Sequence, residues 1–169
     1  IQNSAVMAFP DGEPLSIVSR GRGFKEAKRV PGPDFMGQMF IKGNEGDGLR
    51  HFFYGGSQDT LDTLQKVLKE KYPNLQIAGM YSPPFRPLSE EEDKQVIEMI
   101  NASNADIIWI GLGAPKQERW MYDHWKKLNG LMFGVGAGFD YHAGKLKRAP
   151  MWMQKMSLEW LMRLLQDPK

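Results

Sequence analysis

Lys116, Gln117 and Glu118 stand together just after a Gly111-Leu-Gly-Ala-Pro115 turn, and those residue types at that place could hold a phosphate-bearing ligand. A cation and an amide at a helix N-terminus act together with free backbone N–H groups and the positive end of the helix dipole. Gly111 and Gly113 have no Cβ, so the backbone can turn tightly and come close to a ligand. Pro115 suits a first helical turn, where its missing N–H is no loss. A plain strand-to-helix connection with a solvated first turn would read the same way. The stretch lacks the third glycine of the dinucleotide fingerprint and the Gly-Lys-Ser/Thr ending of a P-loop, which counts against both of those readings. Asp140 closes a further glycine turn, Gly136-Ala-Gly138-Phe139-Asp140, where it could meet a ribose hydroxyl or a base edge, or simply cap a helix. Asp11, in Pro10-Asp-Gly12, lies where α/β proteins place their chemistry, although by residue type alone it reads as a turn aspartate.

The elements that must position these residues alternate. Ile107–Ile110 is a run of four apolar residues, as expected of a strand buried on both faces of a parallel sheet. Ala5–Phe9, Arg50–Tyr54, Gln76–Tyr81 and Leu131–Val135 read as further strands. Gly55-Gly56 gives the Arg50–Tyr54 strand its own glycine turn. Helices are expected from Pro31 to about Gly43, from Gln58 to about Tyr72, after the Ser89–Glu92 capping box, from Pro115 to about Asn129, and from Pro150 to about Gln166. Ser19–Gly23 reads as a polar glycine-bearing loop followed by Lys25, Lys28 and Arg29, and Gly144–Pro150 as a basic loop. Strands and helices in alternation predict a single α/β domain, a Rossmann-like parallel sheet flanked by helices. Its glycine turns would fall along the carboxyl edge, where such sheets bind ligands.

The chain has 169 residues, of which 41% are hydrophobic and 25% charged, ordinary values for one globular domain with a real core. It has no cysteine, which excludes disulfides and thiolate metal sites. His51, His124 and His142 are scattered, with no HExxH pattern, so they read as structural histidines and no metal is expected. A net charge of +2 gives no reason to expect nucleic acid. No apolar run approaches the roughly 20 residues that span a bilayer. Burial explains most of the apolar surface of the last helix, but apolar residues on nearly every side leave it either sandwiched in the protein or partly offered to a membrane or a missing segment, and self-association is compatible with it.

Taken in order, seven stretches resemble the WecG/TagA/CpsF glycosyltransferases. They are Pro10-Asp-Gly12, Arg29-Val-Pro-Gly32, Phe53-Tyr-Gly-Gly56, Gly111-Leu-Gly-Ala-Pro-Lys-Gln-Glu118, Val135-Gly-Ala-Gly-Phe-Asp140, Gly144-Lys-Leu-Lys-Arg-Ala-Pro150 and the run from Leu158 to Pro168. Each is weak alone, and the set covers nearly the whole chain. The resemblance implies transfer of a sugar, often N-acetylmannosamine, from a UDP donor to a lipid-diphosphate-linked sugar. It further implies inversion at the anomeric carbon, no metal or other cofactor, and work on the cytoplasmic face of the bacterial membrane. The products are early intermediates of teichoic acid, capsule or common antigen. Asp11 matches the family's presumed general base, which reverses its reading as a turn residue. An inverting transfer also needs donors for the leaving diphosphate. Lys116, Arg148 and the amides at Gly55, Gly56, Gly111, Gly113 and Gly138 are the expected ones, beside Pro115 and Phe139. Gln117 is expected to orient donor or acceptor, and Glu118 to touch substrate or only to favour the helix start. The family also has a segment before this start and an arginine-bearing tail after this end, both expected to lie outside the chain. Two other classes compete: a non-catalytic nucleotide-sugar module and a Rossmann oxidoreductase.

Overall fold

A computed structural model describes residues 5–150, together with Met153 and Met162. The expected last helix and the Leu158–Pro168 stretch lie outside the described residues. Among the described residues ten elements follow in order: α1 (Glu13–Gly21), α2 (Gly32–Asn44), β1 (Arg50–Gly55), α3 (Gln58–Lys71), β2 (Gln76–Tyr81), α4 (Glu90–Ala102), β3 (Ile107–Gly111), α5 (Lys116–His124), β4 (Leu131–Gly134) and α6 (Gly138–His142). The four strands form one parallel sheet in the order β2-β1-β3-β4. This is the α/β architecture that the alternating pattern predicts.

Alternation along the two central strands sorts the core. Phe53 of β1 and Ile107 and Trp109 of β3 face one side, where Met36, Phe40, Leu61, Leu64, Leu68 and Phe139 pack from α2, α3 and α6. Phe52, Tyr54, Ile108 and Ile110 face the other, against Val96 and Ile100 of α4 and Leu128. Successive side chains of a strand point to opposite faces, so a strand covered on both sides needs an unbroken apolar run. That is why β3 reads as it does. From β1 the chain leaves through α3 to one side of the sheet, and from β3 through α5 to the other. Between the carboxyl ends of β1 and β3 lies the topological switch point, the place where open α/β sheets bind ligands.

Four local expectations change. Ala5–Phe9 forms no strand: Val6 is 92% exposed, and the Phe9 ring packs on Phe35 at 5.2 Å. An apolar run without a neighbouring strand has nothing to pair with. Ser19–Gly21 is not loop but the last turn of α1, started by Pro14 and braced by Arg20 donating to Glu13 at 3.0 Å. Helix α5 stops at His124 because α4 claims the residues after it: Asn101 Nδ2 donates to the Lys127 carbonyl at 2.8 Å and Asn101 Oδ1 accepts from Asn129 N at 3.1 Å. The last glycine turn ends in the short α6, so Asp140 sits inside a helical turn and not at a loop end.

Candidate active site

The three glycine turns do meet on the carboxyl edge, but they divide the work. Gly55 (φ +119°) lies so close to the next turn that a Cβ there would fall 2.6 Å from the Gly111 carbonyl, and Gly56 N donates to Gly111 O at 3.1 Å. Only glycine fits that approach. A Cβ on Gly111 would strike the Phe139 ring at 2.7 Å, and one on Gly138 would strike Met36 Sδ at 2.5 Å. Phe139 itself is 1% exposed. These residues make a solid floor, with the β1 and β3 turns stitched together and Phe139 plugged beneath them. Gly113 (φ +76°) and Gly136 (φ +52°) are the open turns, with no atom closer than 4.0 Å to the place a Cβ would take.

Gln117 joins those two open turns. Its side chain is buried, with Oε1 accepting from Gly136 N at 2.9 Å and Nε2 donating to Glu118 Oε1 at 3.0 Å. The amide carbonyl is therefore spent on holding the β4–α6 turn in register with α5. Glu118 Oε2 is buried with no hydrogen-bond partner. Lys116, the first residue of α5, stands exposed after Pro115, which follows a cis peptide bond.

Asp140 belongs to a relay across α3 and α6 that its sequence neighbours do not suggest. Ser57 caps α3 by accepting from Thr60 N at 3.2 Å and donates to Thr60 Oγ1 at 3.0 Å. Thr60 Oγ1 in turn donates to Asp140 Oδ1 at 3.0 Å and accepts from Lys145 Nζ at 3.0 Å. Both acceptor sites and the one donor of that hydroxyl are thus used. Lys145 also pairs with Asp59, and this hydrogen bond lowers the Asp59 pKa. Ser82, at the end of β2, donates to the Gly56 carbonyl at 2.7 Å and closes the edge on that side. A signal for this relay existed only in part, since Ser57 and Thr60 have cap spacing, whereas Lys145 comes from 85 residues away.

Asp11 is exposed, and its segment is tied to the stretch that leads into α2: Arg29 Nε donates to Asp11 O at 2.7 Å and Val30 N to Pro10 O at 2.9 Å. The start of α2 rests on the β4 turn, where a Cβ on Gly32 would come within 3.4 Å of Val135 O. These contacts link the Asp11 segment, through Arg29–Gly32, to the turn after β4. Arg148 pairs with Asp34 in the first turn of α2 and lies over the Tyr141 ring at 5.6 Å. The histidines are structural. Trp109 Nε1 donates to His51 Nδ1 at 3.0 Å, His142 Nε2 meets the Pro33 carbonyl at 2.8 Å, and His124 sits between Trp120 O and the Asp93 carboxylate. Burial lowers the pKa of His51 and of His142. Among the described residues no group of three or more His, Asp or Glu side chains could hold a metal ion, and no helix is long and apolar enough to cross a membrane.

The chain is 29% identical over 169 residues to a Bacillus subtilis (strain 168) protein named N-acetylglucosaminyldiphosphoundecaprenol N-acetyl-beta-D-mannosaminyltransferase. It is 31% identical over 170 residues to Staphylococcus aureus proteins of the same name, from strains MW2 and NCTC 8325. Each alignment takes in 99% of this chain but 64% of the relative, so the chain spans less than two thirds of the curated relatives it matches. The family model described as Glycosyl transferase WecG/TagA/CpsF matches residues 1–169, and the chain belongs to that family.

Proposed function

We propose that the protein transfers N-acetylmannosamine from a UDP donor to N-acetylglucosamine carried on undecaprenyl diphosphate, with inversion and without a metal. Acceptor and sugar are those in the relatives' names. The observation that carries the reading is a family match along the whole chain that coincides with glycine turns gathered at the switch point of the sheet. Such a reaction serves cell-surface polymer synthesis, and a lipid-linked acceptor brings the enzyme to the inner face of the bacterial membrane.

In this reading Asp11 takes the proton from the acceptor hydroxyl. The freed oxygen attacks the anomeric carbon of the donor sugar from the face opposite UDP. The bond from that carbon to the diphosphate oxygen breaks, and UDP leaves with the electron pair. Lys116 and the amides of the open Gly113 turn receive the diphosphate charge, and Arg148 joins them by exchanging its Asp34 partner for phosphate. The relay from Ser57 through Thr60 holds Asp140 as a fixed acceptor for a ribose hydroxyl. Gln117 acts through the Gly136 turn that it pins, and Glu118 through Gln117.

The test is transfer of labelled N-acetylmannosamine to a lipid-diphosphate N-acetylglucosamine in the presence of EDTA, together with thermal stabilisation by UDP. Asp11→Asn should lose about a hundredfold or more in turnover while keeping the UDP-induced shift. Stabilisation by UDP without transfer to any acceptor would instead support a non-catalytic nucleotide-sugar module. NAD-induced stabilisation with none from UDP would overturn the reading.

A further inference from the structure

Helix α1 is inside out. Its one buried side chain is Ser16, whose hydroxyl has no partner, while Leu15 is 60% exposed and Ile17 and Val18 also face solvent. A helix that turned its apolar stripe to the core would do the opposite. Phe9, Pro10, Leu15 and Phe24, the last 69% exposed, line a shallow, open groove of about 720 Å³. Lys25 and Lys28 line the same groove, with Glu26 between them, so the rim carries a net positive charge. Between Glu13 and Arg29 five cations stand against two glutamates. Pro10, which also lines the groove, is the residue before Asp11.

An apolar trough with a cationic rim fits a ligand with an apolar chain and an anionic head. Apolar surface left open in this way marks a binding groove, and clustered cations add the charge complement. The relatives' names supply a molecule of that chemistry, an undecaprenol bearing a diphosphate. The geometry points to the groove between α1 and the Phe24–Lys28 segment as the acceptor's lipid subsite: the first isoprene units lie between Leu15 and Phe24, and the diphosphate lies against Lys25 and Lys28. The assignment rests on the proposed transferase function. It also explains why the base is placed where it is. The hydroxyl that reacts belongs to the sugar attached directly to the diphosphate, so a head group held at Lys25 and Lys28 carries that sugar past Pro10 towards Asp11.

Farnesyl diphosphate is a soluble probe with the same head and first isoprene units. Titrated into the chain, it should bind at least about tenfold more tightly than inorganic diphosphate, since burial of several methylene-sized groups separates the two. Leu15→Asp and Phe24→Ser, both at exposed positions, should remove that advantage. Lys25→Gln with Lys28→Gln should weaken farnesyl diphosphate but leave farnesol unchanged. All of these variants should keep the UDP-induced thermal shift of the parent chain. Equal binding of farnesyl and inorganic diphosphate would overturn the subsite, as would binding unaffected by Leu15→Asp. So would capture by anionic vesicles free of polyprenyl diphosphate that Leu15→Asp abolishes while farnesyl diphosphate binding persists. The UDP arm separates the two claims: loss of UDP binding in the parent chain would strike the transferase reading, whereas intact UDP binding without farnesyl diphosphate binding strikes the subsite alone.

Discussion

At the scale of single residues, the glycines show how one residue type can serve two purposes. Gly111→Ala would push a methyl group into the Phe139 ring, which is buried and packs against Phe53 at 5.7 Å. Overpacking of this kind costs about 1–3 kcal/mol, so urea unfolding should shift by that amount. Gly136→Ala meets no atom closer than 4.0 Å, and its cost should be only the strain of a left-handed backbone, about 1–2 kcal/mol. If Gly136 also approaches the donor, its variant should lose UDP binding, whereas the Gly111 variant should lose stability first. Sequence showed that glycines cluster after strands, and this much of the site was legible. Which glycines form the floor and which stay open was not, because the answer depends on Phe139, 28 positions beyond Gly111. The Thr60–Asp140 contact escaped for the same reason.

Among the elements, α4 was the most legible, and its N-terminus carries a prediction of its own. Ser89 Oγ accepts from Glu92 N at 3.2 Å while Glu92 Oε2 accepts from Ser89 N at 2.8 Å, and Arg86 adds contacts to both Glu92 oxygens at 2.6 and 2.7 Å. These charge-assisted bonds, the Arg86 contact first, bring the Glu92 pKa from 4.5 down to about 2. A carboxylate with a depressed folded pKa contributes stability above its unfolded value and loses it as pH falls through the folded value. Glu92→Gln should therefore lower the melting temperature at pH 7 and converge with the parent as the pH falls from 4.5 towards 2. Ser89→Ala should cost about 1 kcal/mol at neutral pH. Capping is a local code, so four residues sufficed to read it. By contrast, α1 was missed because its apolar positions face outward and give no core-facing stripe, and the end of α5 was overrun because Asn101 on another helix decides it.

On the scale of the whole molecule, one face of the sheet carries two imidazoles, His51 buried and His142 half-buried. Trp109 Nε1 donates to His51 Nδ1, so a proton on that nitrogen would set two donors against each other, and His51 Nε2 is buried without a partner. His142 contacts the Pro33 carbonyl through Nε2 and packs edge-on to Phe40 at 5.0 Å, close to the cationic Lys71 and Arg148. Burial is the largest cause that lowers both pKa values from 6.5. The unfolded chain therefore binds protons that the folded chain refuses, and stability rises with pH through that window. The contribution is complete above about pH 7 and is lost as pH falls through 6.5 towards the lowered folded values. Thermal unfolding followed between pH 8 and pH 5 should show a falling midpoint on the acid side, well above the range in which the carboxylates titrate. His51→Gln keeps an acceptor for Trp109 but removes the titration, so its midpoint should depend less steeply on pH even if it starts lower at pH 8. A profile as steep as the parent's in both His51→Gln and His142→Gln would show that other groups control the acid side. Because α2, α6 and the Trp109 strand share this face, protonation there should loosen the turns that carry Asp11 and Asp140 before the α4–α5 side gives way. Hydrogen exchange at pH 5.5 should show that order directly, with the amides of Gly136 and Gly138 exchanging ahead of those in α4.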